Sequence, residues 1–270
     1  MKIKWKNIIL LIVFVISITF IIISFINIIK WNEDNKKTKE IIDKINMSII
    51  KEVDENDNDS IEIIDSEEEE SNPYWDYIKM NLIDVDFKEL KEINRLTVGW
   101  IQVNGTNINY PVVRAYNNEY YLVHSFDNSY NNAGWVFMDY RNKISKLDRN
   151  TIIYAHGRKD NSMFGSLKNI LENNWLNDTN NHIIKLSTEY QNTLWQVFSV
   201  YIIPTTNDYI QINFNSDDEF FEFINKLKDR SEFDFNTNVT NKDNILTLST
   251  CYNDKEKVVL HAKLIKKETR

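Results

Sequence analysis

The stretch Ile245-Leu246-Thr247-Leu248-Ser249-Thr250-Cys251, the turn Tyr252-Asn253-Asp254-Lys255-Glu256 and the run Lys257-Val258-Val259-Leu260-His261-Ala262-Lys263-Leu264-Ile265 read as strand, polar turn and strand. Asn253-Asp254 supplies the turn signal between two runs rich in strand formers. The first strand stops at Cys251, so its thiol belongs at the end of a strand and not in mid-core. A reactive thiol needs such partial exposure, together with nearby positive charge. Lys257 opens the second strand across the turn, and in a hairpin those two ends are close. Ordinary solvation of the turn by Lys255 and Lys257 explains the same lysines.

Working outward, six further segments complete a series of eight strands. Trp100 to Val103, Tyr110 to Val113, Gly134 to Met138, Asn150 to Ala155, Asn181 to Leu186 and Thr193 to Ile202 precede Ile245 to Thr250, and Val258 to Ile265 ends the series. Asp84 to Ile93 reads as an amphipathic helix with Phe87, Leu90 and Ile93 on one face. Two helices interrupt the strands, Ser162 to Leu171 and Ser216 to Lys228, the second with Phe220, Phe221, Ile224 and Leu227 as its apolar stripe. The pattern predicts a mainly β domain, a closed antiparallel barrel of eight strands with an N-terminal helix and helical insertions.

Asn150 to Ala155 ends in His156-Gly157-Arg158-Lys159-Asp160, a polar turn. A histidine and a cysteine that each cap a buried strand suit a thiol–imidazole pair, which must meet in space and not in sequence. An exposed loop histidine is the plain alternative. His182 and His261 fall at or within strands and read as structural, and His124 as a packing residue. Cys251 is the only cysteine, so an intramolecular disulfide is excluded; with no HExxH and no CxxC, the sequence calls for no metal and no cofactor. A net charge of −8 without a basic stripe argues against nucleic acid.

Residues 8–29 are apolar or small hydroxyl residues apart from Asn27, long enough to cross a bilayer, and Lys2, Lys4 and Lys6 precede them. The positive-inside rule makes 1–7 a basic cytoplasmic tail, 8–29 an uncleaved transmembrane anchor, and the remainder extracellular. Residues 30–72 are polar and include Glu67-Glu68-Glu69-Glu70, which predicts an acidic, extended linker. The folded domain is expected over 73–270.

From Pro73 to Lys266 these residues together resemble the class B sortases. The ordered pieces are Thr97-Val98-Gly99-Trp100-Ile101, Gly105-Thr106-Asn107-Ile108-Asn109-Tyr110-Pro111-Val112-Val113, Tyr120-Tyr121-Leu122 and Val136-Phe137-Met138-Asp139-Tyr140-Arg141-Asn142. Then come Thr151-Ile152-Ile153-Tyr154-Ala155-His156, Ser162-Met163-Phe164-Gly165 and Thr247-Leu248-Ser249-Thr250-Cys251. The resemblance implies a sortase-type eight-stranded barrel and a Cys–His–Arg site with Cys251 as nucleophile and His156 as acid/base. Thr250 and Ser249 are implied to line the substrate groove. Where the family carries arginine this chain has Lys257, which keeps the charge but loses the planar fork; the alternatives are that Arg158 or Arg230 reaches in, or that activity is weak. The implied activity cleaves a C-terminal sorting motif of surface proteins and passes the acyl group to an amine of peptidoglycan or its precursor. A cysteine protease and a non-enzymatic surface barrel are the rival readings.

Overall fold

The computed structural model describes residues 5–45, 47–53, 60–64, 73–143 and 145–270; the Glu67–Glu70 run lies outside them. The chain divides into two units, Met1–Lys44 and Ile45–Arg270. The first is a single helix, α1 (Trp5–Lys44), about 60 Å long at 1.5 Å per residue. Among the described residues it is the one helix long and apolar enough to cross a membrane. The apolar run occupies its first half, and the helix continues through the polar residues 30–44. Ser17 and Thr19 turn their hydroxyls back onto the Val13 and Val15 carbonyls at 2.9 Å, which satisfies both hydroxyls within the helix.

The second unit contains, in order, β1 (Ile50–Glu52), β2 (Ile61–Ile63), α2 (Tyr74–Tyr77), β3 (Ile83–Val85), α3 (Phe87–Ile93), β4 (Thr97–Val103), β5 (Asn109–Val113), β6 (Phe137–Met138) and β7 (Asn150–Tyr154). It continues with α4 (Asn173–Leu176), β8 (Ile183–Ser187), β9 (Gln191–Pro204), α5 (Asp217–Lys228), β10 (Ile245–Cys251) and β11 (Glu256–Thr269). Eight strands close a ring in the order β10-β7-β6-β5-β4-β8-β9-β11, and β11 returns to β10. Closure pairs the ring strands on both sides over most of their length; the end of β11 that runs past β10 is covered by β2. The ring is mixed where the sequence pattern suggested antiparallel pairing throughout, since β5–β6 and β7–β10 run parallel. The long connections 114–136 and 155–244 make room for such crossovers.

Trp100, Trp135 and Trp195 are all but fully buried, together with many aliphatic side chains of the barrel strands. Burying each large apolar side chain contributes about 1.5–3 kcal/mol. Helix α5 starts where the Ser216 hydroxyl accepts from the Glu219 N–H at 3.1 Å, and three acidic residues occupy its first turn. It packs Phe220, Phe223, Ile224 and Leu227 against Phe198, Tyr201, Tyr209 and Val259. Phe221, assigned to that stripe from sequence, is 43% exposed. Positions 220, 223, 224 and 227 keep helical phase, and 221 falls one step off it.

Other differences have local causes. Asp84 to Val85 belongs to β3, and α3 begins only after Asp86, whose carboxylate caps the Lys88 N–H at 2.9 Å. The 162–171 helix is a 3₁₀ segment over Gly165–Leu171. The expected strand 134–138 shortens to Phe137–Met138 because Gly134 turns back onto Asn131 with a φ of 62°. Two strands fall inside the expected linker 30–72: β1 pairs with β3, and β2 pairs with the far end of β11, Ile63 opposite Lys266. The folded unit therefore begins near Ile45, ahead of the expected boundary at residue 73.

Candidate active site

Strands β7 and β10 lie parallel and in register from Asn150–Ile245 to Tyr154–Ser249. Two residues further along each strand are His156 and Cys251, so the two emerge side by side from the same end of the barrel. Adjacent strands are about 4.8 Å apart, which brings the two backbones within side-chain reach. The Thr250 hydroxyl donates to the Ala155 carbonyl at 2.8 Å and fastens the strand ends together. Gly157 then passes so near β10 that a Cβ there would sit 2.1 Å from the Cys251 carbonyl oxygen. On the other side, a Cβ on Gly134 would sit 2.9 Å from His156 Cδ2. Two glycines thus let the backbone close around the histidine.

The hairpin β10–β11 sets the cation. Cys251 and Lys257 face each other in the ladder, and Lys257 Nζ donates to Cys251 Sγ at 3.0 Å. The short connection is stabilised by Asn253, whose side-chain oxygen accepts the N–H groups of Lys255 and Glu256 at 2.8 and 3.0 Å. Arg158 and Arg230, the alternatives to Lys257, are engaged elsewhere. Arg158 donates to Ser162 at 3.1 Å. Arg230 grips both carboxylate oxygens of Asp208 at 3.2 and 2.6 Å. Neither lines the cavity that holds Cys251.

His156 Nε2 lies 2.7 Å from the Leu122 carbonyl oxygen. A carbonyl can only accept, so Nε2 carries the proton in the neutral ring and Nδ1 holds the lone pair. Cys251, His156 and Lys257 share a cavity of about 460 Å³. Its walls are Asn118 and Leu122 from the loop after β5, Tyr154 at the end of β7, and the segment 205–210 after β9. Ser249 and Thr250 line it too, both buried. The Ser249 hydroxyl bonds to the Tyr209 hydroxyl at 2.9 Å. Burial raises the Tyr209 pKa while that bond opposes the rise, so this phenol stays neutral and able to donate.

The arrangement unites a thiol, an imidazole with a free nitrogen, and an ammonium group at the mouth of a largely apolar cleft. It suits attack by sulfur on a carbonyl bound in that cleft. Asn118, Tyr209 and Ile210 were not assigned to the site from sequence. They lie on loops whose residue pattern carries no period, and only the closure of the barrel brings them to Cys251. The remaining histidines are structural. His124 stacks on Tyr120 with centroids 4.0 Å apart. His182 packs against Trp175 and Phe235. His261 is buried between Tyr201 and Thr247 at 2.8 and 2.9 Å.

Residues 101–265 match the family model of the sortase domain. The chain is 38% identical to sortase B of Staphylococcus aureus over 184 residues, covering 67% of this chain and 75% of that protein. It is 35% identical to sortase B of Listeria monocytogenes over 190 residues, with the same two coverages. Among solved structures it is similar to a Staphylococcus aureus sortase B–substrate complex, with a TM-score of 0.63 and 38% identity over 67% of this chain and 84% of that one.

Proposed function

Since the chain belongs to the sortase family, with sortase B proteins as its relatives, we propose that it is a membrane-anchored cysteine transpeptidase acting outside the cell. It cleaves a C-terminal sorting motif on surface proteins and transfers the acyl group to an amine of peptidoglycan or its precursor. The observation that carries this reading is the contact between Lys257 Nζ and Cys251 Sγ at 3.0 Å, in a cavity shared with His156.

The sulfur of Cys251, as thiolate, attacks the carbonyl carbon of the scissile bond; a C–S bond forms and the carbonyl electrons move onto oxygen. Lys257, beside that carbon, stabilises the oxyanion. As the tetrahedral species collapses the C–N bond breaks, and protonated His156 gives the Nδ1 proton to the departing amine. The thioester keeps the acyl group activated without ATP. An incoming amine attacks it, His156 Nδ1 takes the amine proton, and the C–S bond breaks to return the thiolate. Thr250 and Ser249 contribute to the groove that holds the donor. Helix α1, through 8–29, anchors the enzyme with the three leading lysines in the cytoplasm.

A test uses a sorting-motif peptide library with and without an added amine, read by mass spectrometry. The proposal expects amine-adduct products that disappear in Cys251→Ala. Products formed only by water, at any amine concentration, would point to a protease instead.

A further inference from the structure

Asp139, just beyond β6, is wholly buried, and its carboxylate accepts five hydrogen bonds. The Arg141 backbone N–H and Nε donate to Oδ1 at 3.0 and 2.8 Å. Arg141 Nη2, Asn118 Nδ2 and the Tyr154 hydroxyl donate to Oδ2 at 2.8, 2.9 and 3.0 Å. A carboxylate has about four lone-pair sites, so this one is saturated from within the chain. Burial alone would raise its pKa, but the bonds from Arg141 and Asn118 outweigh that and hold it below the ordinary carboxylate value.

Asp139 does not line the cavity, yet the groups it holds do. Asn118 comes from the loop after β5 and Tyr154 from the end of β7. Arg141 extends the reach to a third wall, because the same Nη2 donates to the Ile210 carbonyl at 3.0 Å. The Asn118 amide is used at both ends, since its oxygen accepts the Tyr140 N–H at 3.0 Å. Its side chain thus braces the loop between Asp139 and Tyr140. Three walls that belong to distant parts of the chain are thus tied to one buried charge.

We propose that Asp139 is a positioning residue for the donor groove: through Asn118, Tyr154 and the Arg141–Ile210 link it fixes three cavity walls in mutual register and so sets how the acyl donor is bound. This rests on the transpeptidase reading above. Cys251 and Lys257 are positioned independently by the β10–β11 hairpin, so loosening the walls should weaken donor binding and leave the thiol as it is. Asp139→Asn removes the charge and replaces one acceptor oxygen with an NH2, so several of the five donors lose their acceptor, which is costly in a buried site.

The test compares full-length wild type, Asp139→Asn, Asn118→Ala and Arg141→Gln in detergent, with a donor peptide selected from the sorting-motif library. KM and kcat are measured, and Cys251 alkylation by iodoacetamide is followed without peptide. The inference expects kcat/KM to fall roughly tenfold to a hundredfold in Asp139→Asn, chiefly through KM, with the alkylation rate held within about twofold. Each single-arm variant should show a smaller rise in KM, and these decide the matter if Asp139→Asn does not fold. Unchanged KM in the variants overturns the inference, and so does an alkylation rate that falls in step with turnover. Absence of turnover in wild type would instead reject the transpeptidase reading, and this inference with it.

Discussion

At the residue scale the proposed mechanism turns on Lys257. An ammonium is a point charge on a flexible stem, whereas guanidinium offers a planar fork. Register brings Lys257 to Cys251 in either case, because the two positions are paired in the hairpin. Lys257→Met is expected to lower kcat/KM about a hundredfold, or about 3 kcal/mol, as for loss of one oxyanion donor. Lys257→Arg should hold or raise activity. Arg158→Ala should cost far less than Lys257→Met, since Arg158 is spent on Ser162 and Asp160; steady-state kinetics on variants of normal Tm check all three. A second residue makes a prediction about pH. His261 is fully buried, and that burial, with the Arg230 charge adding to it, lowers its pKa to about 3. Thr247 donates its own proton to Asn150 at 2.7 Å, so it accepts from His261 Nδ1–H, and Tyr201 donates to Nε2. The folded state therefore keeps this ring neutral while the unfolded chain protonates it near 6.5. Between those values the unfolded state binds more protons, so stability falls as pH drops from about 6.5 towards about 3. His261→Gln should flatten that part of the pH–stability curve relative to wild type, as read by denaturant melts at several pH values. Parallel curves for the two proteins would remove His261 as the cause.

At the element scale the site is made by strand ends and by close backbone contacts. Gly157 allows the His156 turn to lie on β10, where a Cβ would meet the Cys251 carbonyl at 2.1 Å. Gly157→Ala must push that turn away, so activity should drop by at least about tenfold while the barrel still melts cooperatively. A variant with wild-type kcat/KM would show that the turn can shift without harm. The strand ends are also what makes the candidate site legible in sequence. Cys251 and His156 stand out because an apolar run halts at each, and Lys257 because it opens the return strand. The eight barrel strands were legible for a related reason: apolar runs bounded by turn residues record burial directly. Asp139 carried no such signal, as an acidic residue at a strand end reads as solvated until Arg141, Asn118 and Tyr154 are seen around it. The α5 stripe shows the limit of phase arguments, since phenylalanines at 220, 221 and 223 fit two helical faces until packing selects one.

At the scale of the whole molecule the chain carries a long helix with an apolar first half and a closed barrel, and two short strands flanking that barrel lie in a stretch that reads as linker. Three-residue strands among charges have too little pattern to register, and they are ordered by the edges they cover. β2 lies on β11, the Tyr74 hydroxyl donates to the Ile64 carbonyl at 2.5 Å, and Ile49 is buried. Removing residues 1–44 is therefore expected to leave the melting behaviour of the barrel intact, whereas removing 1–72 should cost at least about 2 kcal/mol from lost apolar burial alone. Equal Tm values for the two truncated proteins would make β1 and β2 dispensable. The central claim, that one thiol carries the acyl group between donor and acceptor, has a direct measurement. Residues 45–270 are mixed with the selected donor peptide, quenched with acid within the first turnover, and examined by intact mass and peptide mapping. The account predicts an added mass equal to the acyl fragment, located on Cys251, labile to hydroxylamine and discharged by the acceptor amine. Turnover of the peptide with no adduct on Cys251, or undiminished turnover in Cys251→Ala, would contradict it.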